Sequence, residues 1–143
     1  MNLFYDTSSL FKLYHKEEGT VELINFFTKN SVNAIYLSEI TEIEFSSAVW
    51  KKCRKREVVE DVAQMIIEKF ELDSQNYRFI PYTSEIIKLA KNLIAKYWKN
   101  GLRTLDAVQL ASALVVKNDI DNFFTADNIL AEIAKNEGFK INV

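Results

Sequence analysis

Carboxylates are the most plentiful reactive groups in this sequence, and four of them fall where a strand or a loop leads into a helix. They are Asp6, Glu44, Asp106 and Asp127. If the four converge, their mutual repulsion requires raised pKa values or a bound cation. Mg²⁺ suits such a site, because it binds a few carboxylates and keeps several waters that substrate phosphates can replace.

Three of these acids also have an ordinary structural explanation. Asp6 and Asp127 each follow a short hydrophobic segment at a position where Asp is a favoured helix N-cap. Asp106 lies near the predicted start of a helix, where a negative charge complements the helix dipole. The set of four therefore indicates a site more strongly than any one acid does.

Glu44, the fourth acid, also has a structural interpretation, as part of a capping box. Thr41 and Glu44 have the spacing of a capping box, in which each side chain bonds the other's backbone amide. Ser38 is an equally good cap, however, and Ile40, Glu44 and Ala48 share one helix face. The sequence thus leaves open whether Glu44 caps its helix or lies on a partly apolar face near the other acids.

The residue inventory excludes several other chemistries. His15 and Cys53 are the only histidine and cysteine, so one chain can form neither a disulfide nor a typical zinc site, and no two histidines can act as acid and base. A Cys53–His15 pair has no supporting local signature. With three glycines there is no phosphate-binding loop and no Gly-x-Ser-x-Gly nucleophile elbow.

The elements that must position the acids alternate between strands and helices. Hydrophobic segments predict strands at residues 2–5, 34–37, 77–80, 122–125 and 139–143. Helical periodicity predicts helices at residues 8–18, ended by Gly19, and at 21–27, 40–56, 58–72, 84–99, 105–117 and 129–136.

This alternation predicts an α/β fold in which a mostly parallel sheet of about five strands is covered on both faces. The length of 143 residues and the absence of a linker predict one domain over residues 1–143. Ligands of such sheets bind beyond the carboxyl ends of the strands, so the chemistry is expected there.

The charge pattern gives weaker indications. The net charge of −2 is not typical of a nucleic-acid-binding protein. Residues 51–56 (KKCRKR) are strongly basic and fit either a phosphate-binding patch or the solvated C-terminal end of a helix. No N-terminal leader and no 18-residue apolar run is present, so we expect a cytoplasmic protein without a membrane span.

The four acids and their neighbours resemble the motifs of the PIN-domain nucleases, and within that family the single-domain VapC-type toxins. Residues 4–10 (FYDTSSL) look like the opening strand and first acid, and residues 41–48 (TEIEFSSA) look like the second motif. Residues 103–111 (RTLDAVQLA) and 124–127 (FTAD) match the third and fourth motifs in the right order. Glu42, two residues before Glu44, blurs the second assignment slightly.

This resemblance implies a three-layer α/β/α sandwich that uses Mg²⁺ or Mn²⁺ to cleave RNA endonucleolytically. It makes Asp6 and Asp106 the first choices as metal ligands, with Glu44 and Asp127 as further ligands or as groups that hold or activate water. Thr7 and Thr125 fall where relatives often carry a hydroxyl that supports the site. For a VapC-type toxin it also implies a cognate antitoxin and a homodimer.

Other functions remain compatible with the pattern. A PIN-domain nuclease can serve RNA processing rather than a toxin–antitoxin pair, and a fold alone does not confer activity, so a non-catalytic RNA or protein interaction module is a further alternative. A haloacid-dehalogenase-type phosphatase needs a second Asp two residues after the first, where this chain has Ser8. A phosphoacceptor receiver domain needs an Asp after a middle strand, and residues 36–38 (YLS) offer none.

Overall fold

The computed structural model describes residues 1–142, which form five strands and seven α-helices. The strands are β1 (Asn2–Tyr5), β2 (Ala34–Ser38), β3 (Arg78–Ile80), β4 (Asn122–Phe124) and β5 (Ile141–Asn142). The helices are α1 (Thr7–Phe11), α2 (Thr20–Lys29), α3 (Thr41–Arg54), α4 (Glu60–Asp73), α5 (Ser84–Tyr97), α6 (Thr104–Val115) and α7 (Asn128–Asn136).

The sheet has the order β3-β2-β1-β4-β5, and every strand pair in it is parallel. The chain starts in the middle at β1, builds outward through β2 and β3, and then returns to the other side of β1 for β4 and β5. This confirms the predicted α/β class and the parallel five-stranded sheet. It also places the reversal of strand order between β1 and β4.

Two hydrophobic cores lie on opposite faces of the sheet. Because successive strand residues point to opposite faces, Phe4 and Phe123 pack into one core, with α5, α6 and α7. Tyr5 and Phe124, one residue later in each strand, stack in the other core, with α1 to α4. The molecule is therefore the three-layer α/β/α sandwich that the family resemblance implied.

Helix α6 is the most deeply buried helix, and residues 107–113 are all buried. Small side chains such as Ala107 and Ala111 allow it to pack closely against α5 and the sheet. A helix held on several sides is a rigid support, so Asp106 in its first turn and Gln109 one turn later have fixed backbone positions.

The first helix is shorter than the predicted range of residues 8–18. It ends at Phe11, and the amides of Leu13 and Tyr14 bond the carbonyls three residues back instead of four. The reason is a distant hydroxyl: Thr20 Oγ1 donates to the carbonyl of Lys12 (2.8 Å), which a longer helix would have used internally. Gly19, with φ of +94°, consequently precedes α2 rather than ending the first helix.

The other predicted boundaries differ by a few residues. The predicted break between residues 56 and 58 is present, with Arg56 in the left-handed region at φ +60°. The last strand covers Ile141–Asn142 rather than residues 139–143, and Val143 lies outside the described residues. Among the described helices, none is long and apolar enough to cross a membrane.

Candidate active site

The candidate site lies at the carboxyl ends of β1 and β4, where the strand order reverses. Asp6 directly follows β1, and Asp127 follows β4 by three residues. The amide of Asp6 donates to the carbonyl of Phe124 (3.0 Å), which holds the two strand ends together. Crevices at such reversals are the usual ligand sites of open parallel sheets.

Asp6 is almost completely buried, with 3% of its surface exposed. Its Oδ1 accepts from the amide of Ser9 (2.9 Å), so Asp6 is the N-cap of α1 as its structural interpretation predicted. Its Oδ2 accepts from the hydroxyl of Thr125. Burial raises the pKa of the Asp6 carboxyl to about 6, these hydrogen bonds oppose the increase, and Asp106 adds to it.

Ser8 was not predicted as a site residue, yet it contacts Asp6 directly. Its Oγ lies 2.8 and 2.9 Å from the two oxygens of Asp6 and accepts from the amide of Ala126 (3.1 Å). It therefore ties the loop after β1 to the loop after β4. The only sequence signal for Ser8 is its position two residues after an Asp that ends a strand.

Thr125 connects two of the predicted acids. While its hydroxyl donates to Asp6, its oxygen accepts from the backbone amide of Asp127 (3.0 Å). Asp127 caps α7 through Oδ1, which accepts from the amide of Leu130 (2.8 Å). Capping occupies Oδ1, while Oδ2 lies 3.8 Å from Nη2 of Arg103.

Asp106 faces the same region from the first turn of α6. Burial raises the pKa of its carboxyl, and the negative charges of Asp127 and Glu44 raise it further. Arg103 acts in the opposite direction, since its Nε lies 3.7 Å from Asp106 Oδ2. Asp106 shares Arg103 with Asp127 and lines one cavity with Glu44, and Thr125 connects Asp127 to Asp6, so the four acids lie in one region of the molecule.

Glu44 is half-buried and does not form the capping box that its spacing suggested. Helix α3 begins at Thr41 without a side-chain cap, because Thr41 is buried and its hydroxyl bonds Thr7 Oγ1 (3.1 Å). Glu44 Oε1 instead accepts from Thr7 Oγ1 (2.9 Å). The alternative cap, Ser38, bonds Ser112 at 3.0 Å.

The neighbours of Glu44 on and beside α3 lie on two different faces of the helix. Ile40 and Ala48 line one cleft together with Glu44, which confirms their shared helix face. Glu42 is exposed and lines a different, smaller cavity with Phe45. Glu44 is therefore the acid of this pair that joins the cluster.

Gln109 is the main site residue that sequence reasoning missed. It is 2% exposed, and its Nε2 lies 2.7 Å from Glu44 Oε1, 3.0 Å from Thr41 Oγ1 and 3.1 Å from Thr7 Oγ1. The available signal was a lone polar amide within the otherwise apolar stretch that follows Asp106. Its partners are 65 to 102 residues away in sequence, so the pattern gave no indication of them.

Two neighbouring cavities of about 590 and 560 Å³ meet at Glu44 and Leu105. Arg103 and Asp106 line the first, and Lys51 lines the second. Glu44 and Asp106 therefore reach these cavities, each of which has one basic side chain in its lining, whereas Asp6 and Asp127 line neither.

Lys12 and most of the basic segment 51–56 lie away from these two cavities. Lys12 packs its side chain beside Gly19, where a Cβ would come 2.8 Å from its Nζ, and it lines neither cavity. Lys51, Lys52 and Arg54 occupy the last turn of α3, where their charges complement the helix dipole. Most of the basic segment is thus a solvated helix end, with Lys51 as its member at the cleft.

The four acids do not form a closed metal cage. Within residues 1–142, no group of three Asp, Glu, His or Cys side chains is close enough to enclose an ion.

The sequence matches the family model of the PIN domain over residues 3–136, and the chain belongs to that family. This match confirms the family resemblance of the four motifs, and it excludes the phosphatase and the receiver domain as alternatives. A comparison with curated proteins gives no match.

Several solved structures share the fold. VapC20 of Mycobacterium tuberculosis, described as a sarcin-ricin loop cleaving toxin, is 16% identical with a TM-score of 0.71, over 96% of this chain and 95% of that one. FitAcB of Neisseria gonorrhoeae is 13% identical with a TM-score of 0.70, over 99% and 96%. The DNA-bound VapBC of Salmonella typhimurium is 17% identical with a TM-score of 0.62, over 99% and 97%.

Proposed function

We propose that this protein is a metal-dependent endoribonuclease and the toxin of a toxin–antitoxin pair. The observation that carries the proposal is the grouping of Asp6, Glu44, Asp106 and Asp127 around the strand-order reversal of a PIN-domain fold, through Thr125, Arg103 and a shared cavity. A cluster of four acids without an equal number of cations is unfavourable for folding alone, which supports a role in binding a cation.

The donor set fits Mg²⁺ or Mn²⁺. All four side chains offer carboxylate oxygen, which hard divalent cations prefer. Mg²⁺ commonly uses one or two carboxylates and completes its shell with water and substrate phosphate, so three protein ligands are not required. Asp6 and Asp106 would hold the ion, with Glu44 and Asp127 as further ligands or as partners of its water.

Hydrogen bonds from neighbouring residues hold the acidic side chains in position. Ser8, Ser9 and Thr125 fix the Asp6 carboxylate before any ligand arrives. Thr7 donates a hydrogen bond to Glu44, and Thr125 holds the loop that carries Asp127. A bound divalent cation supplies polarisation of the phosphoryl oxygen and a lower pKa for attacking water.

Glu44 and Asp127 are the two candidates to take the proton from that water. Each is partly exposed and keeps one carboxylate oxygen without a hydrogen-bond donor among residues 1–142. Arg103, 80% exposed at its side chain, lines the Asp106 side of the cleft and would contact the scissile phosphate there.

The proposal includes three partners: an RNA substrate, a cognate antitoxin and a second copy of the chain. Support for the antitoxin comes from fold neighbours that are themselves VapBC assemblies, such as the complex of nontypeable Haemophilus influenzae (13% identical, TM-score 0.66). A PIN-domain RNA-processing nuclease without an antitoxin is the remaining alternative. Gel filtration with light scattering tests the homodimer, and co-purification with the product of a neighbouring small gene tests the antitoxin.

Incubating the purified protein with a structured RNA and with a single-stranded RNA tests the enzymatic proposal. We expect internal cleavage with Mg²⁺ or Mn²⁺, loss of cleavage with EDTA, and recovery when metal is restored. Cleavage that persists in EDTA would rule out the metal-dependent mechanism. Absence of cleavage of any RNA under these conditions would favour a non-catalytic interaction module.

A further inference from the structure

We propose that Gln109 is a positioning residue that holds the Glu44 carboxylate in its working orientation. This inference rests on the proposed nuclease function and goes beyond it by assigning a role to a residue outside the four acids. Gln109 lies on α6, three residues after Asp106, so one rigid helix would both provide one acid and orient another.

The amide nitrogen of Gln109 belongs to a consistent hydrogen-bond network that ends at Glu44. The two hydrogens of its amide nitrogen serve Glu44 Oε1 (2.7 Å) and Thr41 Oγ1 (3.0 Å). Thr41 then donates its hydroxyl hydrogen to Thr7 Oγ1 (3.1 Å), and Thr7 donates its own to Glu44 Oε1 (2.9 Å). Every hydrogen in this network therefore points toward Glu44, either directly or through the hydroxyls of Thr41 and Thr7.

Core packing does not explain the choice of Gln at this position. The neighbouring buried residues of α6 are mainly Ala, Val and Leu, and an apolar side chain there would avoid burying an amide. The carbonyl oxygen of Gln109 is buried and has no hydrogen-bond partner among residues 1–142. Only the NH₂ group of the Gln109 side chain is therefore hydrogen-bonded, and this is the group that reaches Glu44.

The network also determines which oxygen of Glu44 is available. Both donors reach Oε1, whereas no hydrogen bond within the described chain involves Oε2. Glu44 lines both cavities of the cleft, so fixing Oε1 on the protein side leaves Oε2 for a cation or for water. Residues that orient a ligating carboxylate in this way typically change metal affinity or activity by about 10- to 100-fold when replaced.

A double-mutant cycle separates this role from a purely structural one. We expect Gln109→Met to lower kcat for RNA cleavage by about 10- to 100-fold with KM unchanged. In a Glu44→Gln background, the same substitution should cause no further loss, because Gln109 acts through Glu44. Wild-type kcat in Gln109→Met, or independent effects of the two substitutions, would overturn the proposal.

Ser112→Ala is the matched control. Ser112 is 1% exposed, lies on the same helix one turn further on, and bonds Ser38 and the Val108 carbonyl without contacting an acid. We expect it to lower the melting temperature without changing kcat. An equal loss of kcat in Ser112→Ala would show that any buried defect in α6 impairs the site, and would overturn a specific role for Gln109.

A measurement that needs no activity keeps this inference separate from the nuclease proposal. The side-chain amide of Gln109 can be assigned by NMR through bonds to its own backbone in the wild-type protein. We expect its hydrogens to exchange slowly with water and to shift more in Glu44→Gln than in Ser112→Ala. Fast exchange, or signals that do not respond to Glu44→Gln, would overturn the role of Gln109 even if the protein cleaves RNA.

Discussion

Thr125 donates its hydroxyl hydrogen to Asp6, and through this bond the loop after β4 supports the acid that follows β1. The same hydroxyl oxygen accepts the amide of Asp127, so a single buried side chain connects two of the four acids. The reversal of strand order between β1 and β4 makes this contact possible across 119 residues of sequence.

Replacing Thr125 with Val should impair the site while keeping its shape. Val fills a similar volume but cannot donate to Asp6, which leaves a buried carboxylate short of one hydrogen bond. We expect a loss of unfolding free energy of about 1–3 kcal/mol and a clear fall in the rate of RNA cleavage. Chemical denaturation and initial rates measure the two effects.

The control for Thr125→Val is Thr83→Ala. Thr83 caps α5 by accepting from the amide of Ile86 (3.3 Å), and it lines neither cavity of the cleft. Its loss should lower stability by about 1 kcal/mol without changing the cleavage rate. Equal activity of Thr125→Val and Thr83→Ala would show that Thr125 has no role beyond folding.

The raised pKa of Asp6 predicts a specific dependence of stability on pH in EDTA. Since burial raises this pKa from 3.8 to about 6, the folded protein binds more protons than the unfolded chain between these values. The contribution of Asp6 to stability is therefore fully present below about pH 4 and is lost as the pH rises through 6. We expect Asp6→Asn to be more stable than wild type at pH 7.5, by on the order of 1 kcal/mol, because Asn caps as well as Asp and removes the buried charge.

Denaturant titrations of both proteins at pH 7.5 and 5.0 measure this effect. The advantage of Asp6→Asn should shrink at the lower pH, where wild-type Asp6 is largely protonated. A variant that is less stable than wild type at both values would contradict an unfavourable charge at Asp6.

Divalent metal should stabilise the native protein. An ion that binds only the folded state adds about 2.7 kcal/mol when its concentration is 100 times its dissociation constant. We expect millimolar Mg²⁺ or Mn²⁺ to raise the melting temperature of wild type, and to have little effect on Asp106→Asn. Asp61→Asn is the control, because Asp61 is an exposed acid in the first turn of α4, as Asp106 is in the first turn of α6. Equal responses of all three proteins would place the bound metal elsewhere.

Lys51 should contribute to RNA binding on the Glu44 side of the cleft. In an Asp106→Asn background, which prevents cleavage, we expect Lys51→Ala to weaken binding of a single-stranded RNA and to reduce the slope of log affinity against log salt by about 1. Fluorescence anisotropy measures both quantities. Lys55→Ala is the control, because Lys55 is exposed one turn further on and lines neither cavity. Equal effects of the two substitutions would indicate a general charge effect.

The fold was largely predictable because its determinants are local. Hydrophobic strands such as residues 2–5 and periodic helices such as residues 84–99 fix the alternation, and the alternation requires a parallel sheet. The error in the first helix has a non-local cause. Periodicity continues past Phe11, but Thr20 takes the Lys12 carbonyl, and no local pattern reveals that competition.

The site was predictable in part for the same reason. Asp6 and Asp127 stand at strand ends, so their shared edge follows from the sheet alone. The hydrogen-bond partners of Glu44 could not be predicted from the sequence. Its spacing from Thr41 is that of a capping box, but the Thr41 hydroxyl instead bonds the buried side chain of Gln109. A side-chain amide on an apolar helix indicates that a buried hydrogen-bond partner is needed, but the sequence does not show which residue provides it.

The most direct test of the central claim compares initial rates of RNA cleavage by wild type, Asp6→Asn, Asp106→Asn and Asp61→Asn at one Mn²⁺ concentration, with folding checked by circular dichroism. Asn keeps the shape and one oxygen of each acid but removes the charge that attracts the cation. We predict that Asp6→Asn and Asp106→Asn remain folded and lose most of their activity, whereas Asp61→Asn cleaves like wild type. Wild-type rates in both Asp6→Asn and Asp106→Asn would show that these acids are structural and that the cluster is not the nuclease site.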